Sequence, residues 1–182
     1  MALINTTTTG VLGTTVYGDG TGSLTVQQNG VTLGIYGNIP AFSAYAGSAV
    51  GLNNASSTIM PYNVEYFDTA SCYNNTGSTV GSIPAYSFLP NIAGYYQMNA
   101  NHYAGVAGGS TNMALQFYKN GLQYHISSGA AGSTNTYMNG SMLVHLNGTT
   151  DYITVYMYWT GAGASTGSGI GYQFSGFLVK AA

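Results

Sequence analysis

The feature that most constrains this chain is a pair of alternating apolar and polar runs around Asn-Gly, in the stretch MALQFYKNGLQYHI (residues 113–126). A type I′ turn needs positive φ at both central positions, and Asn-Gly adopts this conformation readily. The stretch therefore predicts a β-hairpin that turns at Asn120-Gly121. The same dipeptide recurs at 29–30, 139–140 and 147–148, and at 29–30 it predicts a second hairpin over residues 23–37.

A further strand signal lies in DYITVYMYWT, residues 151–160. Its two alternating sets are an apolar one and a largely tyrosine one: Ile153, Val155, Met157 and Trp159 against Tyr152, Thr154, Tyr156 and Tyr158. No stretch shows about ten residues of helical periodicity free of glycine and β-branched residues. We predict an all-β fold built from many antiparallel strands.

Charge is nearly absent, with two Lys+Arg and four Asp+Glu in 182 residues. Two basic residues cannot neutralise the roughly six to ten phosphates of a typical nucleic-acid footprint. The chain also lacks a polybasic patch for anionic lipid and an apolar run of about 18 residues for a membrane span. Disorder does not explain the low charge, because 45% of the residues are hydrophobic and 17 are tyrosine. We therefore expect neither a nucleic acid nor a membrane as partner.

From residue 40 onward the sequence resembles the globular head of complement component one, subcomponent q, a branch of the tumour necrosis factor-like jelly rolls. The matching pieces occur in the order that the family gives them: Pro40-Ala41-Phe42-Ser43-Ala44; IMPYNVEYFD (59–68); CYNNTG (72–77); Phe88, Pro90, Gly94, Tyr95 and Tyr96; Lys119-Asn120-Gly121; Leu143, Leu146 and Asp151; and Phe174-Ser175-Gly176-Phe177-Leu178. No single piece is specific, but their order and spacing together are.

The resemblance implies an antiparallel jelly-roll β-sandwich over residues 40–182, whose last strand pairs beside the first one in the inner sheet. Phe174 and Phe177 are an odd number of residues apart, so they face opposite sides of that strand. One ring then fills the core, and the other faces outward, where the family packs three heads around a threefold axis. The candidates for the core or the trimer interface are Phe42, Tyr95, Tyr96, Phe174 and Phe177.

Residues 1–39 are predicted to form an extended N-terminal arm followed by a β-hairpin. A lone two-stranded hairpin is marginally stable in water, so this segment needs a surface to lie against. We interpret it as a docking segment, and its candidate contacts are the apolar residues Leu3, Ile4, Val11, Leu12, Val16 and Tyr17. Extended at about 3.3 Å per residue, the first fifteen residues reach roughly 50 Å.

The sequence shows no collagen-like stalk, no secretory signal and only one cysteine, so the secreted animal context of the family does not fit. A head made in the host cytoplasm and displayed on the outside of a bacteriophage particle does fit. The leading hypothesis is therefore a homotrimeric virion protein that decorates and stabilises the capsid, with the major capsid protein or another virion protein as partner. The alternative is the receptor-binding tip of a tail or head fibre, in which the loops at 47–58, 104–112, 127–141 and 160–172 recognise a host glycan or surface protein.

The sequence gives only weak evidence for a catalytic or metal-binding site. Gly163-Ala164-Ser165-Thr166-Gly167 matches the Gly-x-Ser-x-Gly motif, but that motif requires a strand–turn–helix setting. His102, His125 and His145 have no neighbours at ligand spacing. We interpret Asp151 as a residue that orients a turn and Cys72 as a structural thiol.

A pair of carboxylates remains, since Glu65 and Asp68 stand three residues apart. On a regular strand this spacing places them on opposite faces, where they cannot flank one glycosidic bond. We expect no enzyme activity, no metal and no cofactor.

Overall fold

The computed structural model describes residues 16–18, 24–28, 31–35, 39–106, 110–129, 136–161 and 164–182. In these ranges the chain forms strands, turns and bends, and no helix. The chain divides into two compact units, Met1–Ile39 and Pro40–Ala182.

The described residues of the first unit form three antiparallel strands in the order β1-β2-β3: β1 Val16–Gly18, β2 Leu24–Gln28 and β3 Val31–Ile35. Gln28 pairs with Val31, and this register confirms the predicted hairpin over 23–37. Two of the predicted docking residues, Val16 and Tyr17, belong to β1. The other four, Leu3, Ile4, Val11 and Leu12, lie outside the described residues.

The second unit, the head, is a sandwich of two antiparallel sheets. In the first of them, the inner sheet, the central order is β12-β9-β15-β4-β7. Its strands are β4 Ala41–Ala46, β5 Gly51–Leu52, β7 Val64–Asp68, β9 Gly94–Val106, β12 Thr136–Leu146, β14 Ala164–Thr166 and β15 Gly169–Ala181. The short strand β14 pairs with the end of β9 on one side and with β5 on the other.

The second sheet of the head, the outer sheet, is centred on β13. Its strands are β6 Ser56–Ile59, β8 Ser87–Phe88, β10 Ser110–Lys119, β11 Leu122–Gly129 and β13 Ile153–Gly161. β13 pairs with β10 on one side and with β6 and β8 on the other, and β11 pairs with β10 at the edge. The last strand of the head, β15, lies between β4 and β9 in the inner sheet. The predicted all-β jelly-roll sandwich is confirmed.

Aromatic rings fill the space between the two sheets. The ring of Phe42 stacks on Tyr73 and Phe88 at centroid distances of 4.5 and 4.7 Å, and it meets Phe174 edge-on at 4.8 Å. The alternation predicted for β13 is confirmed, because Ile153, Val155, Met157 and Trp159 are fully buried while Tyr156 and Tyr158 are half-buried. Burial of this much apolar surface is the main source of stability in a chain whose single cysteine can form no internal disulfide.

The three Asn-Gly pairs of the head adopt different structures. At Asn120-Gly121 the φ angles are 55° and 78°, and Lys119 pairs with Leu122, which confirms a tight hairpin. Asn139-Gly140 does not form a turn but lies within β12. A Cβ on Gly140 would come within 2.8 Å of the Phe117 ring, so this glycine makes room for a core side chain. Asn147-Gly148 lies in the loop that leads from β12 in the inner sheet to β13 in the outer sheet.

Candidate functional site

The outward face of the inner sheet carries the side chains that alternate with the core. The structure places Phe42, Tyr96 and Phe174 in the core and leaves Tyr95 and Phe177 exposed, Phe177 by 48%. Phe174 and Phe177 thus point to opposite sides of β15, as their odd spacing predicts.

One end of this face is apolar. Leu143 and Phe177 flank Gln97 from the two neighbouring strands, and about half of each apolar side chain is exposed. Tyr95 continues this surface along β9, with its ring centroid 5.3 Å from that of His145. We call Tyr95, Leu143 and Phe177 the apolar end. Apolar groups gathered on one sheet face are typical of surfaces that contact another protein.

The opposite end of the same face is polar and concave. It holds a depression of about 340 Å³ lined by Asn99, Ala100, Asn101, Asn139, Gly140, Ser141, Gln173 and Ser175, which we call the polar end. The depression lies where the ladder between β9 and β15 stops at the pair Ala100–Phe174. Beyond this pair, the side-chain oxygen of Asn101 accepts a hydrogen bond from the backbone N–H of Gln173. The side chain thus takes the place of a main-chain carbonyl as the acceptor.

A tyrosine cluster borders the polar end. Tyr103 and Tyr137 pair across β9 and β12 with ring centroids 5.0 Å apart, and Tyr172 lies nearly parallel to both, at 5.8 and 6.5 Å. Tyr137 is 67% exposed. Gly167 packs directly on the Tyr172 ring, since a Cβ there would come within 2.7 Å of it. The cluster therefore presents an aromatic surface beside the depression.

His102 supports this end of the sheet from inside the sandwich. Its side chain is buried, its Nδ1 lies 3.3 Å from the Tyr62 hydroxyl, and its ring centroid is 5.4 Å from that of Tyr172. Its Nε2 has no hydrogen-bond partner in the described part of the chain. Burial disfavours the charged imidazolium and lowers the pKa of His102 to about 4.

An edge of the sandwich forms a third candidate surface. β11 and β12 are edge strands of the two sheets, and the Ser127 hydroxyl on β11 donates to the Asn139 carbonyl on β12. Along β11, the side chains of Leu122, Tyr124 and Ile126 are exposed, Leu122 by 75%. We call these three residues the apolar edge.

The structure orients the carboxylate pair Glu65 and Asp68 differently from the prediction. In the ladder between β4 and β7, Phe42 pairs with Asp68 and Ala44 pairs with Glu65, with an irregularity between them that leaves Tyr66 as an extra residue. Because Phe42 and Ala44 both face the core, this β-bulge brings Glu65 and Asp68 to the same side, and the predicted opposite orientation is wrong. Both residues line a second depression of about 340 Å³.

The two carboxylates nevertheless differ in role. Asp68 accepts the backbone N–H groups of Ala70 and Tyr73 and so orders the turn after β7. Glu65 is exposed, and its pKa is raised by partial burial and by the charge of Asp68. Over the described ranges, no group of three His, Cys, Asp or Glu residues forms a metal-binding cluster.

The remaining sequence candidates are dispersed. His125 lies on β11 and His145 on β12, away from the buried His102. Ser165 lies in the short strand β14, and Gly163 of its motif is outside the described residues. Burial raises the pKa of the Cys72 thiol to about 11, which leaves it protonated and weakly reactive. The described residues include no helix that is long and apolar enough to cross a membrane.

Asp151 links two turns by hydrogen bonds and an ion pair. It accepts hydrogen bonds from the Asn120 amide at 2.7 Å and from the Asn147 backbone N–H, and it forms an ion pair with Lys119 at 2.9 Å. Partial burial alone would raise the pKa of Asp151, but the hydrogen bonds from Asn120 and Lys119 and the Lys119 charge lower it below its ordinary value.

Comparison with solved structures shows the fold alone. Murine APRIL, a jelly roll of the tumour necrosis factor family, superposes with a TM-score of 0.54 at 11% identity, over 77% of this chain and 98% of its own. The vertex protein P5 of phage PRD1 superposes with a TM-score of 0.51 at 14% identity, over 80% of this chain and 100% of its own. The tumour necrosis factor-like architecture predicted from sequence is thus confirmed. No protein-family model and no curated protein sequence match the chain.

The polar end is the feature that sequence analysis missed. The predicted recognition segments at 104–112 and 127–141 are largely strand where the structure describes them, in β9 to β12, so the polar groups meet on a sheet face. A signal was present: in β9, Asn99, Asn101 and Tyr103 alternate with buried Met98, Ala100 and His102. Recognising it as a site also required knowing which strands flank β9.

Proposed function

We propose that this protein is a structural component of a bacteriophage virion, in which three jelly-roll heads associate and residues 1–39 attach the trimer to the capsid. In this role it decorates the outside of the shell and stabilises it. The fold supports the proposal, because a phage vertex protein shares it across its whole chain. The low charge supports it as well, because the segment then binds its neighbours by backbone pairing and apolar burial rather than by ionic attraction.

The observation that carries the trimer is the presence of two separate apolar surfaces on one head. The apolar end is part of an open sheet face, whereas the apolar edge follows an outer strand. Two different surfaces that pair between copies form a heterologous contact, which closes into a ring when the rotation allows it. The jelly-roll family that the sequence resembles closes such rings with three copies.

The copy number per particle tests the virion role. A decoration protein is expected in dozens to hundreds of symmetric copies on a cryo-EM reconstruction of the phage that encodes it. Deletion of residues 1–39 is expected to leave a folded trimer that no longer binds empty shells, with the full chain as the control. An unfolded or monomeric head after this deletion would contradict the division between docking segment and head.

A second candidate function is the receptor-binding tip of a tail or head fibre. The polar depression beside the tyrosine cluster favours it, because it is a preformed concavity with hydrogen-bonding groups and aromatic rings. A fibre tip is present in few copies per particle, and the full chain would bind host cells. The copy count therefore separates the two candidates.

A further inference from the structure

The proposed trimer uses the apolar end and the apolar edge, and it gives no role to the polar end. We propose that the depression at the polar end, together with the tyrosine cluster, binds a neutral saccharide. This inference rests on the second candidate function for its biological meaning. The site itself is built from the described residues of a single head.

Unused hydrogen-bonding groups line the depression. The Asn139 amide and the Ser175 hydroxyl bond to no residue in the described part of the chain, and both border the cavity. Asn99 accepts a hydrogen bond from Gln97 at 3.3 Å, and Asn101 accepts one from the Gln173 backbone N–H. In both cases the amide oxygen is used, and the NH₂ group donates to no residue in the described ranges. Amide NH₂ groups donate and hydroxyls both donate and accept, which matches the hydroxyl groups of a sugar.

The tyrosine cluster supplies an aromatic surface at the right distance. On the ladder between β9 and β12, the pair Tyr103–Tyr137 stands two residues beyond the pair Asn101–Asn139, so both pairs share one face. Two residues along a strand correspond to about 7 Å, roughly the length of one pyranose ring with its linkage. A sugar ring that stacks its C–H groups on Tyr137 would therefore place its hydroxyls over the amides. Tyrosine provides such contact area at low entropic cost.

Electrostatics limits the ligand to an uncharged one. No charged side chain lines the depression. In the described part of the chain, Lys119 is paired with Asp151, and Lys180 lies opposite Tyr95 at the other end of the face. Phosphate, sialic acid and sulfated sugars would lose their hydration without gaining a positive partner. A neutral hexose or N-acetylhexosamine incurs no such cost.

Another copy of the head is a poorer occupant than a saccharide. Burying an amide or hydroxyl against a protein without a hydrogen-bond partner is unfavourable for each such group. A flat partner surface would have to satisfy several such groups in one small concavity. A saccharide carries a hydroxyl on nearly every ring carbon and can satisfy them together.

The experiment is a glycan array probed with the full-length protein, carrying neutral, N-acetylated, sialylated and sulfated oligosaccharides. The strongest neutral ligand is then titrated by isothermal calorimetry against the wild type and four variants. Tyr137→Ala and Asn139→Ala are expected to weaken its affinity by at least about tenfold. Tyr158→Ala and Asn112→Ala, which change a half-buried tyrosine and an exposed asparagine of the outer sheet, serve as matched controls and are expected to leave the affinity unchanged.

The inference would be overturned by binding of charged glycans only, by binding of none, or by equal loss of affinity in the test and control variants. Light scattering on each variant separates this site from assembly. If Tyr137→Ala or Asn139→Ala abolished the oligomer, the polar end would belong to the subunit interface and the saccharide site would be wrong. If the wild type bound neutral glycan as a monomer, the trimer proposal would fail while the saccharide site stood.

Discussion

The two ends of the outward inner-sheet face are built from the same three strands, β12, β9 and β15, yet they differ in chemistry and in shape. At the apolar end both ladders extend past Leu143 and Phe177, with a β-bulge in β15 between Leu178 and Lys180, and the two apolar side chains project from the paired sheet. At the polar end β15 separates from β9, and amides and hydroxyls line the resulting depression. We infer from this difference that the end where β15 stays paired with β9 suits protein contact, whereas the end where β15 leaves β9 suits a small ligand.

The largest expected effect comes from the two phenylalanines of β15. Phe174→Ala should destabilise folding by about 3–5 kcal/mol, because it empties a fully buried site between the sheets. Phe177→Ala should change the folding of the single head by less than about 1 kcal/mol but dissociate the oligomer at low concentration. Urea denaturation and concentration-dependent light scattering measure the two quantities separately. If both variants lost the same stability and neither changed the association of subunits, the two phenylalanines would not have the different roles that we assign to them.

The next largest effect is a loss of stability in acid, which we expect from His102, the buried residue behind the polar end. In the folded state the pKa of His102 is lowered from 6.5 to about 4. The contribution of the neutral, buried His102 to the free energy of unfolding is therefore complete above pH 6.5, and it is lost as the pH falls towards 4. The loss amounts to about 3 kcal/mol, estimated from the difference between the two pKa values. Hydrogen exchange should show β9 residues 101–104 opening before residues 94–98.

A pair of histidine variants provides the control for this acid effect. His102→Gln should abolish this part of the pH dependence, whereas His145→Gln, at an exposed position, should retain it. An identical acid response in the wild type and His102→Gln would contradict the assignment to His102.

A smaller effect is expected at the tyrosine cluster. Gly167→Ala should cost about 1 kcal/mol, because the new methyl group would meet the Tyr172 ring at 2.7 Å and displace it. Gly171→Ala is the matched control, since a Cβ there meets no atom within 4 Å. Melting temperature and saccharide affinity should fall for the first variant only, with the oligomeric mass unchanged in both. A parallel fall in association would mean that the two ends are not independent.

The smallest effect is expected from salt. No charged side chain lines the depression at the polar end, and at the apolar end the described ladders place a single one, Lys180 opposite Tyr95. Raising NaCl from about 0.05 to about 0.5 M should therefore change association and saccharide affinity by less than about twofold. A steep dependence of either quantity would indicate a charged partner and would remove the basis for the neutral ligand.

Much of the head could be predicted from the sequence. The Asn120-Gly121 hairpin, the alternation of β13 and the position of β15 follow from local periodicity and from the order of the family motifs. These features depend on residues close together in the chain or on a pattern shared by many chains.

Other features could not be predicted, because they depend on strands that are distant in sequence. The bulge at Tyr66 is defined by the register between β7 and β4, and the in-strand position of Gly140 by the Phe117 ring from the opposite sheet. The polar end combines groups near residues 100, 140 and 174, which only the completed sheet brings together. A single strand shows which residues share a face, but not which neighbours complete the surface.

The central claim is that the apolar end is covered by sister molecules, and the molar mass of the purified full-length protein tests it most directly. Light scattering coupled to size-exclusion chromatography should give three times the chain mass of 18.9 kDa, and Phe177→Ala should shift the mass towards one chain at low concentration. A stable wild-type particle with the mass of one chain would contradict the account.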